Sequence, residues 1–166
     1  MKKLYVVGNK VSKSLSPTIF NYWFKKYNIK ASYGYLELTE KNFHKKIKEV
    51  LEKKDTLGLN VTIPFKNKII KHLGKIDAHA KKIGAVNCVT NKKTINGTNT
   101  DWTGYYKTLP NIKKTKNRKV IILGYGGASH AIHYVLKKRG FKDILIFNRS
   151  KKKIKYSKNT EYTKKY

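Results

Sequence analysis

"KVIILGYGGASHAIHYVLKKRG" (119–140) decides the fold class. It opens with an apolar run of strand length, stops at a glycine cluster, and continues with apolar residues at helical spacing. A second apolar strand, "KDILIFNRS" (142–150), follows. Strand, glycine turn, helix and strand predict an α/β fold with a parallel strand pair of the Rossmann type. Glycines let a backbone approach a phosphate closely. The helix that follows aims its unpaired N–H groups and positive dipole end at that anion. The spacing G-x-G-G-A-S, Gly124 to Ser129, is a variant of the dinucleotide fingerprint. Gly124, Tyr125, Gly126, Gly127 and Ala128 are therefore the candidate pyrophosphate cradle, with a plain structural turn as the alternative. A site for NAD usually carries an acid at the end of the second strand, to hold the ribose hydroxyls. Here that end reads Phe147, Asn148, Arg149, Ser150. Arg149, with Lys153 a turn further on, suits a 2′-phosphate, so the expected cofactor is NADP(H).

Upstream, "LPNIKKTKNRK" (109–119) is polar, carries Pro110 and reads as a boundary. Expected domains are 1–106, a linker over 107–118, and 119–166 as an incomplete Rossmann-type domain. The first domain alternates strands and helices, which predicts a mixed α/β layer with a largely parallel sheet. Strands are expected at 4–8, 32–38, 57–63, 84–91 and 93–97. Helices are expected at 18–27 behind Pro17, at 39–54 with Thr39 as N-cap, and around 66–83. The tail from Lys151 is lysine-rich and carries no decisive pattern.

Four polar clusters fall at the ends of these strands or in the loops after them, where open α/β sheets bind ligands. They are Ser14 and Ser16 before Pro17; Asn60, Thr62 and Lys66; Asn87; and "NTD", Asn99 to Asp101. Hydroxyls and amides both donate and accept, which suits a small polyhydroxylated acid. Lys66 and Asp101 are the charged pair among them, and a lysine with an aspartate partner can pass a proton to and from a substrate oxygen. Singly, each has a plainer reading as a cap or a turn residue.

The 166 residues carry 39 basic against 9 acidic side chains, a net charge of +30. Only Arg118, Arg139 and Arg149 are arginine; the other 36 are lysines scattered from end to end. A nucleic-acid reader concentrates its charge and uses arginine for bidentate contacts. The scatter, with abundant Asn, Ile and Tyr, fits a codon bias, so no specific nucleic-acid partner is expected. No apolar run approaches the roughly 18 residues of a membrane span. The first apolar run, after two lysines, is too short for a signal core. The single cysteine, Cys88, excludes an internal disulfide. A cytoplasmic location, no membrane contact and no bound metal are the expectations.

"GNKVSKSLSP" (8–17), "NVTIPFK" (60–66), "GAVN" (84–87), "NTDWTG" (99–104) and "GYGGAS" (124–129), in this order and spacing, resemble the shikimate dehydrogenase family. The resemblance runs from about Lys3 to about Lys153. It implies reversible reduction of 3-dehydroshikimate to shikimate with NADPH, on the route to chorismate and aromatic amino acids. By similarity, Ser14 and Ser16 would bind the substrate carboxylate, and Thr62 and Asn87 the ring hydroxyls, with Asn60 nearby. Lys66 and Asp101 would be the catalytic pair. Gly124 to Ala128 would cradle the pyrophosphate, and Asn148, Arg149, Ser150 and Lys153 would hold the adenosine 2′-phosphate. Lys10 stands where the family often has proline, Tyr125 where the turn often has alanine, and His130 where arginine or glycine is frequent. Members usually run well beyond this length, so a fragment or truncated product is expected, with a homodimer or a complementing chain as the means to complete it. Two strands and one helix would expose Ile121, Leu123, Ile144 and Ile146, leaving the chain beyond about 106 loose. A shikimate-binding remnant without catalysis is the rival reading, and a lysine-rich nucleic-acid binder the remoter one.

Overall fold

A computed structural model of the chain describes residues 1–110 and 118–148. Arg149, Ser150, Lys153 and most of the expected linker lie outside the described residues. The chain divides into two compact units, Met1–Asn99 and Thr100 onward.

The first unit is a six-stranded sheet. Its strands are β1 (Lys2–Gly8), β2 (Ala31–Glu37), β3 (Thr56–Val61), β4 (Lys75–Ile76), β5 (Cys88–Asn91) and β6 (Ile95–Thr98). The spatial order is β2-β1-β3-β5-β6-β4. β1 pairs in parallel with both β2 and β3, and β4 pairs in parallel with β6. β5 is antiparallel to both β3 and β6. The sheet is therefore mixed, parallel across β2-β1-β3 and between β6 and β4, with the antiparallel β5 between the two parallel sets.

β1 shows why the sequence folds this way. Successive side chains of a strand point to opposite faces. Leu4 and Val6 join Val11, Tyr33, Phe20 and Phe24 on one side, while Tyr5 and Val7 enter the larger core on the other. A run apolar on both parities can sit only between two covering layers. Helix α1 (Ser16–Lys26) supplies one, with Pro17 in its first turn. Helix α2 (Phe43–Leu51) supplies the other, burying Phe43, Ile47, Val50 and Leu51 against Val7, Leu59, Val61 and Phe65.

Three expectations are corrected here. The second helix starts at Phe43, not Thr39. Thr39 and Asn42 instead bond reciprocally in the preceding turn, the Thr39 N–H donating to Asn42 Oδ1 (2.9 Å) and the Asn42 N–H to Thr39 Oγ1 (3.4 Å). The expected helix 66–83 splits into a 3-10 turn (Lys68–His72), β4 and α3 (Ala78–Ile83). The split occurs because Gly74 and Asp77 donate their N–H groups to the carbonyls of Ile95 and Gly97 on the neighbouring strand. Asp77 then caps α3, accepting from the His79 and Ala80 N–H groups, and Gly84 ends it with φ 74°. The strand expected at 84–91 begins only at Cys88, because Val86 and Asn87 bond outward to Lys66 and Thr98.

The second unit holds α4 (Asp101–Thr108), β7 (Lys119–Leu123), α5 (Gly127–Lys138) and β8 (Asp143–Phe147). β7 and β8 are parallel, as expected. The division between units falls before α4 rather than after it. The reason is that α4 packs on α5: Trp102 sets its ring edge-on to Tyr134, and Arg139 donates to the Tyr106 carbonyl (3.0 Å) from above the Tyr106 ring. The expectation that Ile144 and Ile146 are exposed is overturned. Both are buried with Ile122, Leu136 and Phe141, because α5 covers that parity of both strands. The opposite parity behaves as expected, with Ile121 at 56% and Leu123 at 80% exposure. The strand–helix–strand segment 118–148 thus has a core of its own.

Candidate active site

A cleft of about 580 Å³ opens in the first unit, where the chain leaves the carboxyl ends of β1 and β3. Parallel strands place ligand sites at that end. Ser14, Ser16, Asn60, Thr62, Lys66 and Asn87 all line it. Six of the seven expected substrate-site residues thus meet in one concavity. Val6, Val11, Phe20 and Val61 give it an apolar wall. Lys10 and Lys13 join Lys66 on its lining, and no acidic side chain lines it among the described residues. Its lining thus combines cationic, hydroxyl and amide groups with an apolar wall.

Each wall is held by the backbone. In the first loop, Ser14 donates its N–H to the Val11 carbonyl (2.9 Å). The two serine hydroxyls lie 3.2 Å apart, and the Ser16 N–H donates to Ser14 Oγ (3.2 Å). Glu37 anchors this loop from behind, its Oε2 accepting from the N–H groups of Val11 (2.9 Å) and Ser12 (3.1 Å). Those bonds, that of Ser12 foremost, hold the Glu37 carboxyl below the usual carboxylate range. Tyr35 adds a bond from its hydroxyl to the Ser14 carbonyl (3.2 Å).

On β3, Tyr33 donates its hydroxyl to Asn60 Oδ1 at 2.7 Å. This fixes the amide, so that the Nδ2 donors are the half left to face a ligand. Burial raises the Tyr33 phenol well above its ordinary range, so it stays a donor. Phe20 stacks on the Tyr33 ring at 4.7 Å and keeps it in place. The chain then turns through a cis Ile63–Pro64 bond. Thr62 donates its N–H to the Val7 carbonyl and accepts from Phe65 N–H, which fixes the turn that presents Lys66. The Lys66 carbonyl accepts from Val86 N–H (2.7 Å), and the Asn87 carbonyl from Val61 N–H (2.8 Å), so both loops are stitched together behind the cleft.

Gly8 allows the two loops to approach. A Cβ there would lie 2.5 Å from Val11 Cγ1 and 2.7 Å from Thr62 Cγ2, closer than real contacts permit. Gly8→Ala is expected to lower stability by about 1–3 kcal/mol through overpacking. Urea unfolding followed by circular dichroism measures it, and an unchanged midpoint would show that the loops part freely.

Asp101, the seventh expected residue, belongs to the second unit as the first residue of α4. The preceding Asn99 is buried in the first unit and donates its Nδ2 to the Ala85 carbonyl (2.9 Å).

The glycine turn of the second unit leaves β7 with Gly124 at φ 86°, a left-handed conformation that favours glycine. Gly124 donates its N–H to the Phe147 carbonyl (2.7 Å), and Tyr125 donates its N–H to Asn148 Oδ1 (3.0 Å). Space is open where a Cβ would project from Gly124 and from Gly126, the N-cap of α5. A backbone cradle with that opening at a helix start fits a pyrophosphate. Tyr125 points inward instead, its hydroxyl 2.9 Å from His133 Nδ1. His133 is buried, and burial, with the charges of Lys137 and His130, lowers its pKa to about 4. The Tyr125–His133 bond went unread in the sequence, although Tyr125 stands where the family's turn often has alanine. Lys10 and Lys13 of the serine loop were missed as lining residues, and Tyr33 and Glu37 as supports that only the fold brings to Asn60 and to that loop.

The model of the shikimate dehydrogenase substrate binding domain matches residues 6–89. The chain belongs to the shikimate dehydrogenase family. Shikimate dehydrogenase of Thermotoga petrophila is 37% identical over 148 residues, covering 89% of this chain and 55% of the relative. The NADP(+) enzyme of Clostridium botulinum is 38% identical over 161 residues, covering 94% and 62%. Among solved structures, shikimate dehydrogenase 1 of Peptoclostridium difficile superposes with a TM-score of 0.83 at 31% identity, covering 98% of this chain and 61% of that one. The Thermus thermophilus enzyme in complex with NADP(H) and shikimate gives 0.74 at 28%, covering 90% and 57%. The chain spans about half the length of the curated relatives it matches.

Proposed function

We propose that the cleft binds shikimate and 3-dehydroshikimate, and that the chain serves an NADP(H)-dependent shikimate dehydrogenase reaction. The observation that carries this reading is the convergence of Ser14, Ser16, Asn60, Thr62, Lys66 and Asn87 on one cationic cleft, in a segment that matches the family's substrate domain. The Ser14 and Ser16 hydroxyls are placed to donate to a carboxylate, with Lys10 and Lys13 adding positive charge beside them. Thr62, Asn87 and the fixed amide of Asn60 are suited to ring hydroxyls. Lys66 holds the proton for the carbonyl oxygen, and Asp101 is its proposed partner. In the reduction the carbonyl carbon gains a hydride and its oxygen gains the Lys66 proton, giving an alcohol. The bound cofactor supplies the hydride chemistry, and the backbone of Gly124 to Ala128 would hold its pyrophosphate. Arg149, Ser150 and Lys153 are proposed to hold the 2′-phosphate, together with Asn148. No helix among the described residues is long and apolar enough to cross a membrane.

One observation favours binding without turnover: among the described residues the second unit has only two strands, one face of them bare. Calorimetric titration with shikimate, beside an assay of 3-dehydroshikimate with NADPH, separates the readings. Saturable binding with NADPH consumption is expected of the enzyme. Binding alone identifies the remnant, and no binding overturns both.

A further inference from the structure

We propose that His44 and His72 form a binding site for a divalent transition metal of the zinc, nickel or copper type, clipping α2 to the 3-10 turn that follows Lys66. His44 lies in the first turn of α2, and His72 ends the 3-10 turn Lys68–His72. Their Nδ1 and Nε2 atoms face each other at 2.8 Å, with ring centroids 5.1 Å apart and planes inclined by 26°. Two ring nitrogens at that distance share either one proton or one metal ion. A tetrahedral zinc with its usual bond lengths separates two imidazole nitrogens by about 3.3 Å. The observed gap is only slightly shorter, and a small rotation of the exposed His44 ring opens it.

The platform is rigid where the ligands must be. Both imidazole rings meet the Phe43 ring in T-shaped, near-perpendicular contacts, His44 at 5.2 Å and His72 at 5.9 Å. Phe43 is fully buried and stacks on Phe65 at 4.2 Å. A second link joins the same two segments, the ion pair of Lys68 with Glu40 at 2.9 Å. Among the described residues no group of three or more metal-ligating side chains gathers, so water completes the coordination. Imidazole selects borderline metals, while Ca²⁺ and Mg²⁺ require oxygen ligands. The flanking Lys45 and Lys71 repel a cation held by charge alone, which strengthens that selection.

The whole chain is melted with and without excess ZnCl2, and again with MgCl2. Zinc is expected to raise the Tm by about 4 °C or more, since it binds only the folded pair, and magnesium to leave it unchanged. His44→Ala and His72→Ala should each abolish the zinc shift, whereas His79→Ala and Cys88→Ala should keep it. Zinc titration by calorimetry supplies a second reading that does not depend on variant stability. One zinc per chain is expected, lost in His44→Gln, where the exposed position tolerates the change. A missing shift in the unaltered chain, or one that survives in His44→Ala and His44→Gln, overturns the proposal.

Discussion

Replacing Lys66 with alanine is expected to cut turnover of 3-dehydroshikimate by about 10²–10⁴-fold, the usual contribution of a positioned proton donor. The fold is expected to survive, because alanine leaves the backbone bonding of this segment in place. The Lys66 carbonyl accepts from Val86 N–H at 2.7 Å, and alanine keeps that bond. The segment itself is set by Phe65, which is fully buried, and by the Thr62 turn before it. The side chain stands on the lining of the cleft, so its loss enlarges a solvent-facing cavity rather than the core. Lys66→Met separates shape from chemistry: it restores length and apolar bulk but carries no proton, and should be as inactive as alanine. Steady-state assays beside thermal melts measure both effects. Where the chain itself only binds, the same substitution is read as weaker shikimate affinity in calorimetry. Turnover or affinity within twofold of the unaltered chain would remove Lys66 from the mechanism.

The residues that were legible from the sequence share one property: their role is set by neighbours close in the chain. The turn at Gly124 to Ser129 lies between a strand and a helix of its own making, so its place follows from local pattern. Ser14, Asn60 and Lys66 each follow or end an apolar strand, and parallel strands carry their ligands at that end. The residues that were missed depend on distant partners. Tyr33 reaches Asn60 across the sheet, because β1 separates β2 from β3 and puts both on one face. Glu37 secures the serine loop only because β2 runs beside β1. The errors in the 66–83 segment have the same source. Its apolar spacing suits a helix, but Gly74 and Asp77 find better partners on β6 than within a helix. The expectation that Ile144 and Ile146 are exposed rests on a single helix being too little to bury the faces of two strands. One helix suffices to cover one parity, which is why Ile121 and Leu123 alone behave as expected. Hydrogen bonds of long sequence separation are thus what the motifs could not reveal, and they are what shape the cleft.

Phe65→Ala is expected to be the most damaging single change in the core of the first unit. Phe65 has no exposed surface, stacks on Phe43 at 4.2 Å and lies in the same cluster as Val7, Leu59, Val61 and Ile69. Truncating a buried phenylalanine costs about 3–5 kcal/mol, combining lost burial with a cavity that neighbours only partly fill. That is a large share of the roughly 5–15 kcal/mol that holds an ordinary domain. The site would suffer as well. Phe65 directly precedes Lys66; its N–H donates to the Thr62 carbonyl, and its own carbonyl accepts from Ile69 N–H. Without the ring, the Thr62–Lys66 turn loses its anchor in the core while keeping its backbone bonds. Shikimate affinity should therefore fall even at temperatures where the variant stays folded. Phe65→Leu discriminates the two effects. It refills most of the volume and should recover much of the stability, yet it cannot restore the stacking on Phe43 that orients the segment. Urea unfolding by circular dichroism gives the first quantity, and calorimetry with shikimate the second. A stability loss below about 1 kcal/mol for the alanine variant would mean that the cluster repacks around the gap, and that Lys66 is positioned by the backbone turn alone.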